Sequence, residues 1–303
     1  MPTEDQEGAT ISDADAVPGA MELADDLGID LSFCACALDG RGARISHLED
    51  RLWPGASLYK LPAAIALCRS RGAALSAPVR VEPTQRVVGG AGISLMEDPV
   101  TLTWRELMRF MLVGSDNTSA AVILEDVGAA AVDAVTQDAG MTRSQVAGSA
   151  DTVRRAVEEA RRSAGFAQGT DLDDDLVDFA KDDAVLGSLT TAGDQVRLLT
   201  ALWRGDLLES AGSALIKGML GQQLAPIRIS RILSYPGVLV AGKTGSWGPF
   251  RHDSAVVTHD GESPVAVSIL TRSLEFDRLL PAVDDGIGEI AAMIVDGVRS
   301  SQV

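Results

Sequence analysis

Apolar residues recur along the chain with two different periods, and each period belongs to a different region. Near the start, DLSFCACALDGRGARISHL reads as two β-like runs separated by the turn signal DGRG. β character returns late, in PGVLVAGKTGSW and in DSAVVTHDGESPVAVSILTR, which is predicted to be a hairpin turning at HDGE. Between these regions, several segments carry apolar residues at i, i+3 and i+4, which predicts helices. They are TWRELMRFMLV, NTSAAVILEDVGAAAVDAVTQDAG, ADTVRRAVEEARRSAG and TTAGDQVRLLTALWRGDLL.

Strands at both ends of the chain, with helices between them, imply an antiparallel sheet in which the two ends meet. The predicted fold class is therefore α+β, a three-layer α/β/α arrangement with an inserted all-helical lobe. A first helix is predicted over Gly19 to Leu27, and a last amphipathic helix closes the chain. The sheet lobe is predicted at about 19–56 and 226–303, and the helical lobe at about 57–225. Residues 1–18 are acidic and are predicted to be a disordered lead-in.

Charge narrows the range of partners. The 303 residues carry a net charge of −17, and no basic stripe exists that could release counterions from a phosphate backbone. Nucleic acid is therefore not an expected partner, and no apolar run reaches the roughly 20 residues that span a membrane. The first residues lack a signal peptide's apolar region, which favours a cytoplasmic protein, although a secreted chain trimmed of its leader would read the same.

Cysteine and histidine show no metal-ligand spacing. Three of each are present, and neither type forms a pattern such as HExxH. No metal and no cofactor are expected, and the oligomeric state is left open.

The segment GASLYKLPAAIALCRSRG is predicted to be a helix made for burial, yet it opens with Ser57 and Lys60. The chain has only four lysines. Residues i and i+3 share a helix face, so Lys60 can bring its amine against the Ser57 hydroxyl. A serine hydroxyl needs a base to become nucleophilic, and a lysine is a base only when burial or a second cation lowers its pKa. Pro62 conflicts with this helix because it removes a backbone bond.

Two further motifs follow in order. Ser115-Asp116-Asn117 lies between two predicted helices, and Lys243-Thr244-Gly245 ends a predicted strand. Taken alone, the first is an ordinary helix cap and the second an ordinary strand end. Taken together with the SxxK motif that Ser57 and Lys60 form, they favour one acyl-transfer site.

SxxK, SDN and KTG together resemble the class A serine β-lactamases and the penicillin-binding proteins. The similarity extends over most of residues 20 to 303 and is weakest from about 145 to 187. It implies a β-lactamase-like fold and a small-molecule substrate. The implied catalytic residues are the nucleophile Ser57, the general base Lys60, the proton relay Ser115, and Lys243. The implied substrate-binding residues are Asn117 for the side-chain amide, Lys243 and Thr244 with Gly245 for the carboxylate, Ser246 for the oxyanion hole with the Ser57 N–H, and Arg251 as a possible second anchor.

The pattern departs from the class A enzymes after SDN. Those enzymes deacylate with a glutamate in an ExxxN pattern, and no such pattern occurs between Asn117 and Thr190. Ala121 stands where the family usually has an asparagine that braces that loop. Asp175 or Asp178 could activate water instead; the alternative is that both belong to a solvated acidic loop.

The sequence therefore predicts a serine hydrolase that forms an acyl-enzyme on a β-lactam or a related small amide or ester with a carboxylate. One alternative is an intracellular biosynthetic amidase, esterase or acyltransferase. Another is a penicillin-binding pseudo-lactamase without efficient deacylation.

Overall fold

A five-stranded antiparallel sheet is built from both ends of the chain, with strand order β2-β1-β10-β9-β8. The structure is a computed structural model and describes residues 13–146, 188–274 and 280–302. The strands of this sheet are β1 (Ile29–Ala37), β2 (Ile45–His47), β8 (Val238–Trp247), β9 (Phe250–His259) and β10 (Val265–Ser273). This confirms the predicted α+β class and the meeting of the two chain ends.

Helices cover both faces of the sheet and form the inserted lobe. They are α1 (Asp13–Asp26), α2 (Lys60–Arg71), α3 (Trp104–Val113), α4 (Asn117–Val127), α5 (Ala129–Asp138), α6 (Ala192–Arg204), α7 (Ser210–Leu220), α8 (Ile229–Leu233) and α9 (Pro281–Ser300). Short 3₁₀ helices lie at Ala56–Tyr59, Gly72–Ser76, Pro83–Gln85 and Ile93–Leu95. Within these described segments, no helix is long and apolar enough to cross a membrane.

The alternation of side chains along the central strands produces two cores. On β1, Phe33 and Ala35 face the core under α1 and α9, whereas Cys34 faces the core shared with the helical lobe. On β10, Val267 faces the core under α1 and α9, and Leu270 faces the core shared with the helical lobe. Because both faces are covered, successive residues are apolar, and this is why these strands read as nearly continuous apolar runs.

Two boundaries differ from the sequence prediction. Helix α1 begins at Asp13 rather than Gly19, so residues 13–18 are helical despite Pro18. Ala16, Ala20 and Ala24 are fully or almost fully buried in the core beneath α1 and α9, which stabilises the helix through the proline. The inserted lobe is also not all-helical, because it contains two small ladders whose strands are too short to show a period of two.

These ladders are β4 (Pro78–Val81) with β5 (Val100–Thr103), and β3 (Trp53–Pro54) with β7 (Ser188–Thr190) and β6 (Gln145–Val146). In the second ladder Val146 pairs with Ser188, and Ser188 also accepts a bond from the Gly55 N–H at 2.7 Å. The residues on either side of 147–187 therefore lie together. They lie beside Gly55, which precedes Ser57 by two residues in the chain. The helix predicted at ADTVRRAVEEARRSAG lies outside the described residues.

Asp194 holds this junction in place from the first turn of α6. Its side chain is fully buried and accepts bonds from the backbone N–H groups of 142–144, from the Ser144 hydroxyl at 2.8 Å and from Arg197 at 2.6 Å. A carboxylate accepts all of these bonds, whereas an amide would turn two N–H groups toward the same donors.

We expect Asp194→Asn to lower the free energy of unfolding by about 3 kcal/mol, because buried donors lose their acceptor. Urea denaturation measures this loss. The matched control is Asp133→Asn, an exposed aspartate on α5, which should change stability by less than about 0.5 kcal/mol. Equal effects of the two substitutions would show that the Asp194 network does not stabilise the junction.

Candidate active site

Ser57 lies at the end of a tightly held turn. Ala56 has φ of +43°, a left-handed conformation that is costly for a residue with a side chain. The turn is fixed from behind by His252, which is fully buried and whose Nε2 lies 2.8 Å from the Pro54 carbonyl oxygen. His252 Nδ1 accepts from the Thr271 N–H, so Nε2 carries the proton and donates it to Pro54. Burial lowers the pKa of His252 to about 3, which keeps the ring neutral.

Ser57 itself is partly exposed in the 3₁₀ helix, and Lys60 follows at the start of α2. Pro62 is the third residue of α2, within the first turn, where backbone N–H groups make no bond inside the α-helix and proline is tolerated. The conflict noted from the sequence is thus resolved by the position of the helix start.

The Lys60 amine is fully buried and is bonded across the cleft. It donates to the Ser115 carbonyl oxygen at 2.5 Å and to Asn117 Oδ1 at 2.7 Å, and it lies 3.3 Å from the Ser115 hydroxyl. In the part of the chain that the structure describes, no hydrogen bond joins it to Ser57. The sequence predicts a direct contact between Lys60 and Ser57; the structure instead joins Lys60 to the SDN motif.

Lys243 reaches the same serine from the sheet. It is almost fully buried on β8, and its amine lies 3.1 Å from the Ser115 hydroxyl and 2.9 Å from the Thr244 carbonyl oxygen. The Ser115 hydroxyl thus lies between two lysine amines, one from each lobe. This arrangement brings the SxxK, SDN and KTG motifs into one hydrogen-bond network.

Burial sets the protonation of both lysines. It lowers the pKa of Lys60 well below its usual value, the charge of Lys243 lowers it further, and Asp116 opposes the change. Burial lowers the pKa of Lys243 to about 8; Asp253 opposes this shift and Arg228 adds to it. Lys60 is therefore the lysine best placed to serve as a base, and Lys243 the better cation at neutral pH.

The loop that carries the SDN motif packs against a second loop of small residues, Gly89 to Gly92. Ser115 has φ of +54°, and Asp116 caps α4 by accepting from the Ser119 N–H at 2.6 Å. Asp116 also accepts from the N–H and hydroxyl of Ser94 at 2.7 and 2.6 Å. A Cβ added to Gly90 would lie 2.2 Å from the Ser115 carbonyl oxygen, so that close approach requires glycine.

β8 is an edge strand of the sheet, and its last residues lie beside the nucleophile turn. A Cβ at Gly245 would lie 3.2 Å from both the Gly55 carbonyl oxygen and a Leu58 side-chain carbon. Gly245 therefore lets the strand approach Ser57, and Thr244 and Ser246 lie on either side of it.

A residue that the sequence analysis did not single out completes this edge. Arg228 is almost fully buried, has φ of +55°, and donates to the Ser246 hydroxyl at 2.7 Å and to the Gly245 carbonyl oxygen at 3.0 Å. It also pairs with Asp284 at 2.7 Å. No motif contains Arg228, and the only sequence signal was a lone basic residue in an otherwise apolar stretch, LAPIRIS.

The predicted anchor Arg251 has a different setting. Its Nη1 donates to the carbonyl oxygens of Gly248 and Phe250, at 2.6 and 3.0 Å, in the β8–β9 turn. Arg251 is paired with Ser246 in the β8–β9 ladder, and Arg228 donates to the Ser246 hydroxyl. Asp175 and Asp178 lie outside the described residues.

Comparison with known proteins agrees with the observed fold. The family model described as "Beta-lactamase enzyme family" matches residues 21–298. A β-lactamase from Sphaerobacter thermophilus is similar in structure, with a TM-score of 0.76 and 22% identity over 94% of this chain and 97% of that one. A β-lactamase from Burkholderia phymatum gives a TM-score of 0.74 and 21% identity over 95% and 99%.

A third solved structure is the L158E mutant of PBP-A, an acyl-enzyme complex with penicillin G. Its TM-score is 0.73, with 16% identity over 93% of this chain and 95% of that one. A comparison with curated proteins found no match.

The close approach at Gly90 gives a test of the site's packing. Gly90→Ala should lower the free energy of unfolding by about 2–3 kcal/mol, because the added Cβ meets the Ser115 carbonyl and the backbone is left-handed. Gly205→Ala is a matched control, since Gly205 is also left-handed, with φ of +85°, but has nothing within 4 Å of its Cβ. It should cost only about 1 kcal/mol. Equal losses in chemical denaturation would contradict the packing account.

Proposed function

Since the chain belongs to the β-lactamase enzyme family, we propose that it is a serine hydrolase that forms an acyl-enzyme at Ser57. The proposed substrate is a β-lactam, or a related small amide or ester bearing a carboxylate. The observation that carries the proposal is the Ser115 hydroxyl lying between the buried amines of Lys60 and Lys243, at 3.3 and 3.1 Å.

Acylation follows from the hydrogen bonds of Lys60. A neutral amine has two N–H groups and one lone pair, and the two short bonds to the Ser115 carbonyl and Asn117 Oδ1 use both N–H groups. In the proposed step the lone pair takes the proton of Ser57, to which Lys60 makes no hydrogen bond in the described part of the structure, while the serine oxygen attacks the substrate carbonyl. The N–H groups of Ser57 and Ser246 would stabilise the oxyanion. As the carbon–nitrogen bond breaks, Ser115 gives its proton to the nitrogen and is reprotonated from the adjacent lysine amines.

Binding uses the groups around this centre. Lys243 and Thr244, with Gly245 leaving room between strand and nucleophile, would hold the substrate carboxylate. Asn117 donates one amide N–H to the Val88 carbonyl at 2.8 Å, which leaves the other for the substrate's side-chain amide. Arg251 remains a proposed second anchor, and Arg228, bonded to Ser246, would add positive charge at this edge.

Deacylation needs a group that activates water. Asp175 and Asp178 remain the proposed candidates, and the residues on either side of 147–187 lie beside Gly55. If neither acts, the acyl group would persist on Ser57. The PBP-A structure described as an acyl-enzyme complex with penicillin G shows that a protein of this fold can be trapped in that state.

Intact-mass measurements with penicillin G separate these outcomes. We expect an adduct on the wild-type chain and none on Ser57→Ala, because Ser57 is the proposed nucleophile. Loss of the adduct with time, together with substrate consumption, supports hydrolysis. Asp175→Asn and Asp178→Asn then identify the deacylating group by prolonging the adduct. Neither adduct nor turnover across penicillins, cephalosporins and simple esters would refute the proposal.

The pH profile of acylation tests the role of Lys243. Its pKa is about 8, so above that pH the lysine loses the charge that attracts a carboxylate. The second-order acylation rate constant should therefore fall by about tenfold per pH unit above the pKa. Lys243→Arg should retain its cation and move the fall to higher pH.

Penicillin G methyl ester provides the matched substrate control, because it has no carboxylate for Lys243 to attract. The fall should be much weaker with the ester. A rate constant for penicillin G that keeps rising through pH 9 would contradict the assigned role.

A further inference from the structure

A second concave site lies at the opposite edge of the sheet from β8. It is a cleft of about 530 Å³ between the β1–β2 turn, the end of α5 and one face of α6. β2 and β8 are the two edges of the five-stranded sheet. At about 4.8 Å between strands, the edges lie about 19 Å apart. The cleft therefore does not overlap the Ser57 site.

Two opposing walls of this cleft each contribute two arginines. Arg41 and Arg44 come from the β1–β2 turn, and Arg197 and Arg204 come from α6, where a spacing of seven residues puts both on one helix face. Only 26 of 303 residues are basic, and the chain carries a net charge of −17. Four arginines converging on one cleft stand out against that background.

Each arginine keeps donors that its present partners do not use. Arg204 donates from Nε and Nη2 to one backbone carbonyl oxygen, that of Leu38, at 3.0 and 2.7 Å. Arg41 has a side chain that is 83% exposed, and its ion pair with Asp39 is long, at 3.9 Å. Arg44 uses Nε and Nη2 on Glu49, and Arg197 uses Nη1 on Asp194. A guanidinium has five N–H donors, so each of the four can still bind an oxyanion.

Three of the four arginines have carboxylate partners outside the cleft lining: Arg41 pairs with Asp39, Arg44 with Glu49 and Arg197 with Asp194. Asp194 is buried beneath it, and Asp39 and Glu49 are not part of its lining. Asp138 and Asp206 do line it, and Asp138 is paired with Arg69 at 2.7 Å. These two carboxylates would repel a bare polyanion but would accept hydrogen bonds from hydroxyl groups.

We propose that this cleft binds a small phosphorylated polyol, such as a sugar phosphate, with its phosphate held by the arginines. The fork of a guanidinium matches phosphate oxygens in a bidentate way that a lysine cannot. A volume of about 530 Å³ exceeds what a phosphate alone would occupy and leaves room for the organic part. Asp138 and Asp206 would accept from the hydroxyl groups of that part.

Calorimetric titration of the full chain with ribose 5-phosphate, inorganic phosphate and ribose tests the proposal. Ribose 5-phosphate should bind most tightly, phosphate more weakly and ribose not measurably. Arg41→Gln should weaken ribose 5-phosphate at least about tenfold, a loss typical of one charge-assisted contact. Arg204→Lys, which keeps the charge but loses the fork, should weaken it similarly. Arg105→Gln on the exposed face of α3 is the matched control and should leave binding unchanged.

Arg41 is highly exposed, so its replacement should not disturb folding, and unchanged penicillin acylation of Arg41→Gln checks this independently of the second site. Absence of binding by ribose 5-phosphate would overturn the proposal. So would equal weakening by Arg105→Gln and Arg41→Gln, since this would indicate a general charge effect. Phosphate binding as tightly as ribose 5-phosphate would overturn the assigned ligand class.

Discussion

Two lysine amines are buried within hydrogen-bond distance of one serine hydroxyl, and the other parts of the site are arranged around that constraint. Two like charges removed from water are costly, so at least one amine is favoured in its neutral form. The Ser115 carbonyl, Asn117 Oδ1 and the Thr244 carbonyl offset part of the cost because each accepts a bond from an amine. The same burial that costs stability makes Lys60 a base.

The constraint also explains why three chain segments approach so closely. Lys60 and Lys243 come from different lobes and can share Ser115 only if β8 packs against the nucleophile turn. Gly245 permits that contact, and Gly90 permits the second loop to press on the Ser115 carbonyl that Lys60 binds. Left-handed backbone at Ala56, Ser115 and Arg228 falls at the same junction. Such conformations persist only where the surrounding packing fixes them.

Much of the sheet could be predicted from the sequence, because apolar runs bounded by turn signals such as HDGE are local features. The start of α1 could not, since burial of Ala16 against a distant helix outweighs Pro18. In the site, spacing within each motif identified Ser57, Lys60, Ser115 and Lys243, and the structure joins Lys60, Ser115 and Lys243 by hydrogen bonds. Arg228 belongs to no motif, and its contacts come from residues 17 to 56 positions away. The direction of the Lys60 amine also depends on tertiary packing that no local pattern encodes.

The central claim is that burial lowers the pKa of both amines, with Lys60 acting as the base and Lys243 as the cation. The chain has only four lysines, so NMR titration of ¹³Cε-labelled lysine, assigned with single Lys→Arg variants, measures each amine directly. The account predicts that Lys243 titrates near pH 8 and that Lys60 titrates well below its usual pKa. Titration of both amines near pH 10.5, the ordinary lysine value, would contradict it.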